Sequence, residues 1–197
     1  LDTYKGITCY VNSTNRCSCA CTFCLRNTKE MLESNSLWLK REPTVEMIIA
    51  EFEKYDLTAF KEVVFCGFGE PLTRHDDLMK VAKYIKEKRS DLSIRINGSG
   101  LSSITLGRDT APDFKGVIDT VSISLNAPTK EEYYELTRAC YGVDSFNYML
   151  QFTKACKKYV PSVVLTVVDI IGVEKIKLCQ KIADGLGVEL RVRPFEE

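Results

Sequence analysis

The sequence lacks the features of several broad classes of protein. No apolar run approaches the ~18 residues that a membrane-spanning helix needs, and no secretory signal peptide opens the chain. Lysine plus arginine and aspartate plus glutamate both total 27, so no excess of positive charge indicates a nucleic-acid-binding face. We therefore expect a cytoplasmic protein with neither a nucleic acid nor a membrane as its partner.

Linkers, low-complexity segments and internal repeats are also absent from the 197 residues. A chain of this length, 45% hydrophobic, suffices for one well-formed core and is short for two. We therefore predict one domain over residues 1–197. The single histidine, His75, lies at the predicted start of a helix, and we interpret it as structural rather than as a catalytic base.

Short segments rich in β-branched residues alternate with helical patterns along the chain. This alternation predicts an α/β fold with a parallel sheet. At about 31 residues per strand–helix unit of a complete barrel, the length fits six units, which indicates a partial (β/α)6 barrel or an open sheet. The predicted strands are Gly6–Asn12, Glu62–Gly67, Leu92–Asn97, Thr120–Asn126, Ser162–Val168 and Val188–Pro194, and the predicted helices are Val45–Tyr55, Asp76–Lys88, Lys130–Arg138, Phe146–Tyr159 and Glu174–Leu186.

Alternate residues of these strands form two different faces. Because successive strand side chains point to opposite sides, one face is apolar and should contact the helices, and it includes Ile7, Val63 and Ile94. The other face is polar toward the strand carboxyl ends, where barrel active sites lie. We interpret it as the lining of a small-molecule site, although a solvent-exposed sheet face would give the same alternation. The polar face includes Thr8, Cys66, Arg95, Thr166, Arg191 and Arg193.

Four of the nine cysteines lie within eight residues, directly after the first predicted strand. Without a secretory signal, such a group is typical of metal ligands rather than disulfides. Cys17, Cys21 and Cys24, spaced C-x3-C-x2-C, can hold three irons of a [4Fe–4S] cluster and leave the fourth iron open. We expect the extra Cys19 to point away. A four-cysteine zinc site is the alternative, but structural zinc sites usually draw two ligand pairs from separated segments.

The cysteine loop, its Phe23 before the last cysteine, and the segment "CGFGEP" (Cys66–Pro71) resemble the radical S-adenosylmethionine (SAM) superfamily. The resemblance covers nearly the whole chain. It implies that Phe23 packs near the SAM adenine and that the turn after the second strand binds the methionine amino group. The remaining residues that it implies for SAM binding are Gly67, Phe68, Gly69 and Glu70 in that turn, Ser122, Ser124 and Asn126 for the ribose hydroxyls and carboxylate, and Val168 and Ile170 for the adenine.

The resemblance also implies the chemistry. A [4Fe–4S] cluster binds SAM at its open iron and, once reduced, cleaves it to a 5′-deoxyadenosyl radical that abstracts a hydrogen atom from the substrate. A flavodoxin- or ferredoxin-type reductant and anaerobic operation follow from the same resemblance.

The stretches "NSTNRC…CTFCLRN" and "GFGEPLTR" are similar to the compact TatD-associated radical SAM proteins, part of which is linked to queuine salvage. We therefore hypothesise a queuine lyase, which breaks a C–N bond of queuine and yields 7-aminomethyl-7-deazaguanine (preQ1). A 7-carboxy-7-deazaguanine synthase, a glycyl-radical activase and a non-enzymatic metal-binding module are the alternatives. The lining arginines suit the carboxylated substrate of the synthase better than queuine, which has no anionic group. The candidate residues for a purine-like substrate are Tyr10, Asn12, Arg26, Asn27, Asn97 and Arg193.

Overall fold

A computed structural model describes residues 6–28 and 37–195 of the chain. Within these residues six β-strands alternate with α-helices and short 3-10 turns. The strands are β1 Ile7–Val11, β2 Phe60–Phe65, β3 Ser93–Gly98, β4 Thr120–Ser124, β5 Ser162–Val168 and β6 Glu189–Arg193. The helices are α1 Leu25–Thr28, α2 Val45–Phe52, α3 His75–Lys88, α4 Ser102–Leu106, α5 Lys130–Thr137, α6 Ser145–Cys156 and α7 Val173–Leu186.

The six strands form one sheet in the order β1-β2-β3-β4-β5-β6, and each neighbouring pair is parallel. Helical segments make the crossovers, which parallel neighbours require. The predicted α/β architecture of six strand–helix units is therefore confirmed. Two helices end three residues earlier than predicted, α2 at Phe52 rather than Tyr55 and α6 at Cys156 rather than Tyr159. In both cases the chain turns there, because the Tyr55 N–H donates to the Phe52 carbonyl over 3.1 Å and the Tyr159 N–H to the Cys156 carbonyl over 2.9 Å.

The core lies between the sheet and the helices. Val63, Ile94 and Ile123 on the helix-facing side of the sheet are completely buried, as the alternation predicts. Ile7 and Val192 belong to the same predicted face but remain 64% and 45% exposed. The reason is topological, because β1 and β6 are the two outer strands and each has a sheet neighbour on one side only.

The loop after β1 crosses the carboxyl ends of the strands and is held against α5. Three backbone hydrogen bonds hold it there, from Ala20 N–H to the Thr137 carbonyl (2.8 Å), from Thr22 N–H to the Leu136 carbonyl (2.9 Å), and from Cys140 N–H to the Ser18 carbonyl (2.9 Å). The cysteine segment therefore covers the carboxyl ends of the strands. In the part of the chain that the structure describes, none of the helices is both long and apolar enough to cross a membrane.

Candidate active site

A cavity of about 470 Å³ opens at the carboxyl ends of the strands, beneath the cysteine loop. Three separate parts of the sequence meet there: the cysteine loop, the turn after β2, and the inward-facing ends of β3 to β6. Their convergence is the arrangement typical of an active site in an α/β barrel.

All four cysteines of the loop line the cavity. Cys19 is 6% exposed, and its thiol hydrogen-bonds to the side chains of both Cys17 and Cys21. Its backbone N–H also donates to Cys17 Sγ over 3.4 Å. The expectation that Cys19 points away is therefore wrong.

The surroundings of the thiols differ in their effect on ionisation. Hydrogen bonding from Cys19 lowers the pKa of Cys17 and Cys21, although burial opposes the shift. The positive charge of Arg26 acts in the same direction, and its guanidinium donates to the Cys19 carbonyl over 3.0 Å. Burial instead raises the pKa of Cys24. Because the thiolate is the form that binds metal, Cys17 and Cys21 are already biased toward the ligating state.

The donor set fits an iron–sulfur cluster. Cys17, Cys21 and Cys24 line one cavity, which extends beyond them to the ends of β3 to β6. Among the described residues, no group of three or more histidine, cysteine, aspartate or glutamate side chains is arranged to hold a single metal ion.

The turn after β2 packs tightly against the segment that leads into the cysteine loop. A Cβ atom on Gly69 would lie 2.3 Å from the Thr14 carbonyl oxygen and 2.8 Å from that of Arg16. The next residue, Glu70, donates its backbone N–H to the Arg16 carbonyl over 2.8 Å. Gly67 has a φ of +151°, a conformation that favours glycine, and a Cβ there would overlap Asn12. The glycines thus bring the turn to the cavity wall.

Glu70 connects this turn to the end of β3. The side chain is 6% exposed, and its carboxylate accepts the Leu72 N–H over 3.2 Å and the Ser99 N–H over 2.6 Å. Burial raises the pKa of the Glu70 carboxyl, while both backbone donors oppose the shift. Glu70 therefore has a structural role, because it links the turn to the end of β3, and it also lines the cavity.

The strand ends supply polar groups that face the cavity. Ser122, Ser124 and Asn126 line it, as do Asn97 and Val168. The side-chain oxygens of Asn97 and Asn126 are buried and, within the described residues, have no hydrogen-bond partner. Since buried polar atoms are usually satisfied, these two amide oxygens are ready to accept hydrogen bonds from a ligand.

The structure brings together most of the residues proposed from the sequence, including Phe23, Gly67, Phe68 and Arg193 in the same lining. Four others lie elsewhere. Tyr10 and Ile170 are 66% and 51% exposed and do not line the cavity, because Tyr10 is on the outer strand β1 and Ile170 is in the 3-10 turn after β5. Asn12 donates its side-chain amide to the Leu37 carbonyl, and Arg26 contacts the cysteine loop. The side chain of Asn27 lies outside the described residues.

Several lining residues were not singled out as site residues from the sequence. Tyr133 and Thr137 come from α5, and Pro194 and Phe195 follow β6. The helical residues carry no sequence signal for this role, since a buried tyrosine on a helix is ordinary core material. The hydrogen bonds between the cysteine loop and α5 bring them to the cavity.

A family model for the radical SAM superfamily matches residues 11–179. The chain belongs to the radical SAM superfamily. It is also 30% identical, over 155 residues, to a probable GTP 3′,8-cyclase of Thermococcus kodakarensis. That match covers 79% of this chain but only 45% of the relative, so the chain spans less than half the length of the curated relative that it matches.

Solved structures show the same fold at low sequence identity. Methylornithine synthase (PylB) superposes with a TM-score of 0.70 at 17% identity, covering 97% of this chain and 54% of that protein. Streptococcus suis SuiB bound to the precursor peptide SuiA gives a TM-score of 0.70 at 14% identity, covering 98% of this chain and 40% of SuiB. At these identities the likeness establishes the radical SAM partial barrel and nothing about substrate.

Membership of the superfamily implies a [4Fe–4S] cluster and SAM as the cofactors, as the resemblance predicts. The described site fits both groups. Cys17, Cys21 and Cys24 supply three thiols to the same cavity that the glycine turn and the strand ends line.

Proposed function

We propose that this chain cleaves SAM reductively and uses the resulting 5′-deoxyadenosyl radical to take a hydrogen atom from a small molecule. The observation that supports this proposal is the shared cavity. The cysteine sulfurs, the turn at residues 67–70 and the polar ends of β4 all line it. A flavodoxin- or ferredoxin-type protein is the proposed electron donor.

When bound, the cluster and SAM supply the electron and the radical, and the protein supplies binding, orientation and exclusion of water. Cys17, Cys21 and Cys24 are the proposed cluster ligands. Phe23, in the cysteine loop, and Val168, at the end of β5, offer apolar contacts for the adenine. The hydroxyls of Ser122 and Ser124 can hydrogen-bond the ribose hydroxyls or the carboxylate of SAM.

The turn at residues 67–70 is the proposed site for the methionine amino group. Its glycines leave the backbone accessible from the cavity, and the Glu70 carboxylate lies beside it. Because the two oxygens of Glu70 already accept backbone N–H groups, we assign the main contact with the amino group to the backbone of residues 67–70. Glu70 then acts chiefly by holding that backbone in place.

Queuine lyase is the first candidate reaction, in which the C–N bond between the cyclopentenediol ring and the aminomethyl nitrogen of queuine is broken to give preQ1. Support comes from the unpartnered oxygens of Asn97 and Asn126, which suit the N–H groups of a purine-like base. The cavity of about 470 Å³ is within the size range of small-molecule sites, and its open side gives further space for a substrate beside SAM.

A reaction on an anionic heterocycle is the second candidate. One such reaction is the ring contraction of a 7-carboxy-7-deazaguanine synthase. A second such reaction is a nucleotide cyclisation, which the name of the GTP 3′,8-cyclase relative suggests. Three arginines in the cavity lining favour this candidate.

Anaerobically reconstituted protein, SAM and dithionite test both candidates. Formation of 5′-deoxyadenosine that depends on Cys21 supports the radical SAM step, with Cys140→Ala as the matched cysteine control, because Cys140 is exposed and does not line the cavity. PreQ1 from queuine supports the lyase. Turnover of carboxy-tetrahydropterin or GTP, with no preQ1 from queuine, supports the second candidate. A Cys21→Ala variant that still forms 5′-deoxyadenosine contradicts the proposal.

A further inference from the structure

Three guanidinium groups line one wall of the cavity, on β3 and β6. Arg191 and Arg193 are two residues apart in β6, so they project from the same face of that strand. The strand register places Arg191 opposite Thr166 and Arg193 opposite Val168, both of which also line the cavity. We refer to Arg95, Arg191 and Arg193 together as the arginine wall.

The curvature of the sheet brings the two ends of the arginine wall toward one another. In a flat sheet β3 and β6 would be about 14 Å apart, at ~4.8 Å per strand, and β6 would lie farther still from β2. Yet Arg95 and Arg193 both act electrostatically on the Cys66 thiol, at the end of β2. Burial raises the pKa of Cys66, and the two guanidinium charges oppose that rise. The positive charges therefore converge on one region of the cavity.

Carboxylates are few around the arginine wall in the described lining. Glu70 is the one carboxylate among the described lining residues, and its oxygens are committed to two backbone N–H groups. Glu62, outside the lining, accepts from Arg95 Nη2 over 3.0 Å. Arg95 Nε is buried and has no hydrogen-bond partner among the described residues. Arg95 therefore retains a buried N–H donor for a further acceptor.

The backbone of Arg95 lies deeper in the barrel than the turn proposed for SAM. Arg95 precedes Asn97 by two residues and Ser99 by four, so about 13 Å of extended strand lies between Arg95 and the rim at Ser99. Its guanidinium nevertheless acts on Cys66, the residue before that turn. A substituent of the substrate and the carboxylate of SAM are therefore the two anions to distinguish.

We propose that the arginine wall is the binding subsite for an anionic substituent of the substrate, either a carboxylate or a phosphate. This inference rests on the proposed function, because it concerns the substrate of the same cavity. Guanidinium groups bind both anions through paired, charge-assisted hydrogen bonds. The subsite distinguishes the two candidate reactions, since queuine carries no anionic group and the substrates of the second candidate do.

Matched pairs of probes test the proposal by calorimetric titration of the reconstituted protein in the presence of SAM. Each pair differs in its anionic group: carboxy-tetrahydropterin against tetrahydropterin, and GTP against guanosine. We expect the anionic member of at least one pair to bind about tenfold or more tightly than its neutral partner, and this preference to weaken with added salt. Equal binding within both pairs, or no binding by either anionic probe, overturns the proposal.

Variants assign the effect to the wall. Two variants should each abolish most of the preference for the anionic probe. The first is Arg193→Gln, on an outer strand. The second combines Arg95→Gln with Glu62→Gln, so that neither partner of this ion pair is left as an unpaired charge. The affinity for SAM should stay unchanged. Arg41→Gln removes an exposed arginine outside the cavity and should change neither affinity. Weaker SAM binding with an intact probe preference would assign the wall to the SAM carboxylate and overturn the proposal.

Failure of the proposed function gives a different result. If SAM and dithionite yield no 5′-deoxyadenosine with any probe while the anionic preference persists in the parent protein and disappears in the wall variants, the subsite stands and the proposed reaction does not. If 5′-deoxyadenosine forms but the preference is absent, the reverse holds.

Discussion

Gly69 offers a direct test of how the turn at residues 67–70, the proposed SAM site, is held. In Gly69→Ala, the new Cβ would lie 2.3 Å from the Thr14 carbonyl oxygen and 2.8 Å from the Arg16 carbonyl oxygen. Both contacts are with backbone, so no flexible side chain can move aside. Separation of the first pair to about 3.0 Å, the lower limit for such contacts, requires a displacement of at least about 0.7 Å.

This displacement has two energetic consequences. Overpacking of a well-packed site typically costs about 1–3 kcal/mol, and the hydrogen bond from Glu70 N–H to the Arg16 carbonyl contributes a further ~1 kcal/mol if it is lost. We therefore expect Gly69→Ala to lower the free energy of unfolding by about 2–4 kcal/mol. Because the turn would move away from the cavity, we also expect weaker SAM binding.

Urea unfolding of the anaerobically prepared protein measures the first effect, and calorimetric SAM titration measures the second. Gly185→Ala is the matched control, because Gly185 lies within α7 and a Cβ there meets no atom within 4 Å. Since alanine favours a helix over glycine by about 1 kcal/mol, this variant should be slightly more stable than the parent. If Gly69→Ala is as stable as the parent and binds SAM equally well, our account of the turn is refuted.

Three further outcomes follow from the described contacts. Cys19→Ala should retain the iron of the reconstituted protein and Cys21→Ala should lose most of it, as iron and sulfide analysis will show; equal loss from both would make Cys19 a ligand. The Nε2 of His75 lies 2.9 Å from Asp113, and burial lowers the pKa of the ring. The unfolded chain therefore binds a proton at a higher pH, near 6.5, than the folded protein does. The free energy of unfolding should therefore fall as the pH drops below about 6.5 and until the lower folded-state pKa is passed, and His75→Gln should flatten that profile; an unchanged slope contradicts this. Lys86→Met should lower the free energy of unfolding by about 2 kcal/mol, because the Lys86 side chain is 15% exposed and its Nζ binds Asp119 over 2.8 Å. Lys54→Met, which changes an exposed lysine, should have little effect, and similar unfolding midpoints for the two variants would count against this prediction.

Much of the fold could be predicted because each strand–helix unit has a local signal. Ser162–Val168 has the same limits in the prediction and in the structure, and Val45 and Lys130 begin helices after the threonine caps Thr44 and Thr129. The caps act within one turn of the chain, so the neighbouring sequence contains the information. Tyr10 shows where such local patterns fail, since its alternation fits the cavity-lining face but β1 is an outer strand.

The candidate site divides in the same way. The spacing of Cys17, Cys21 and Cys24 and the glycines of residues 67–69 specify their chemistry locally, because three thiols on one loop and a side-chain-free turn need no distant partner to be recognised. The orientation of Cys19 was mispredicted because it depends on how the loop is held against α5, more than 110 residues later in the chain. The cavity-lining role of Tyr133 depends on the same contact.

The sequence by itself determined the family, the six-unit order of the elements and the three cysteines that we propose as cluster ligands, because these depend on residue type and short spacing. Only the tertiary structure decided that Glu70 binds the Ser99 N–H and that Arg95 and Arg193 converge near Cys66. These contacts join residues that are far apart in the chain, and the curvature of the parallel sheet, rather than any local pattern, sets the distances between them.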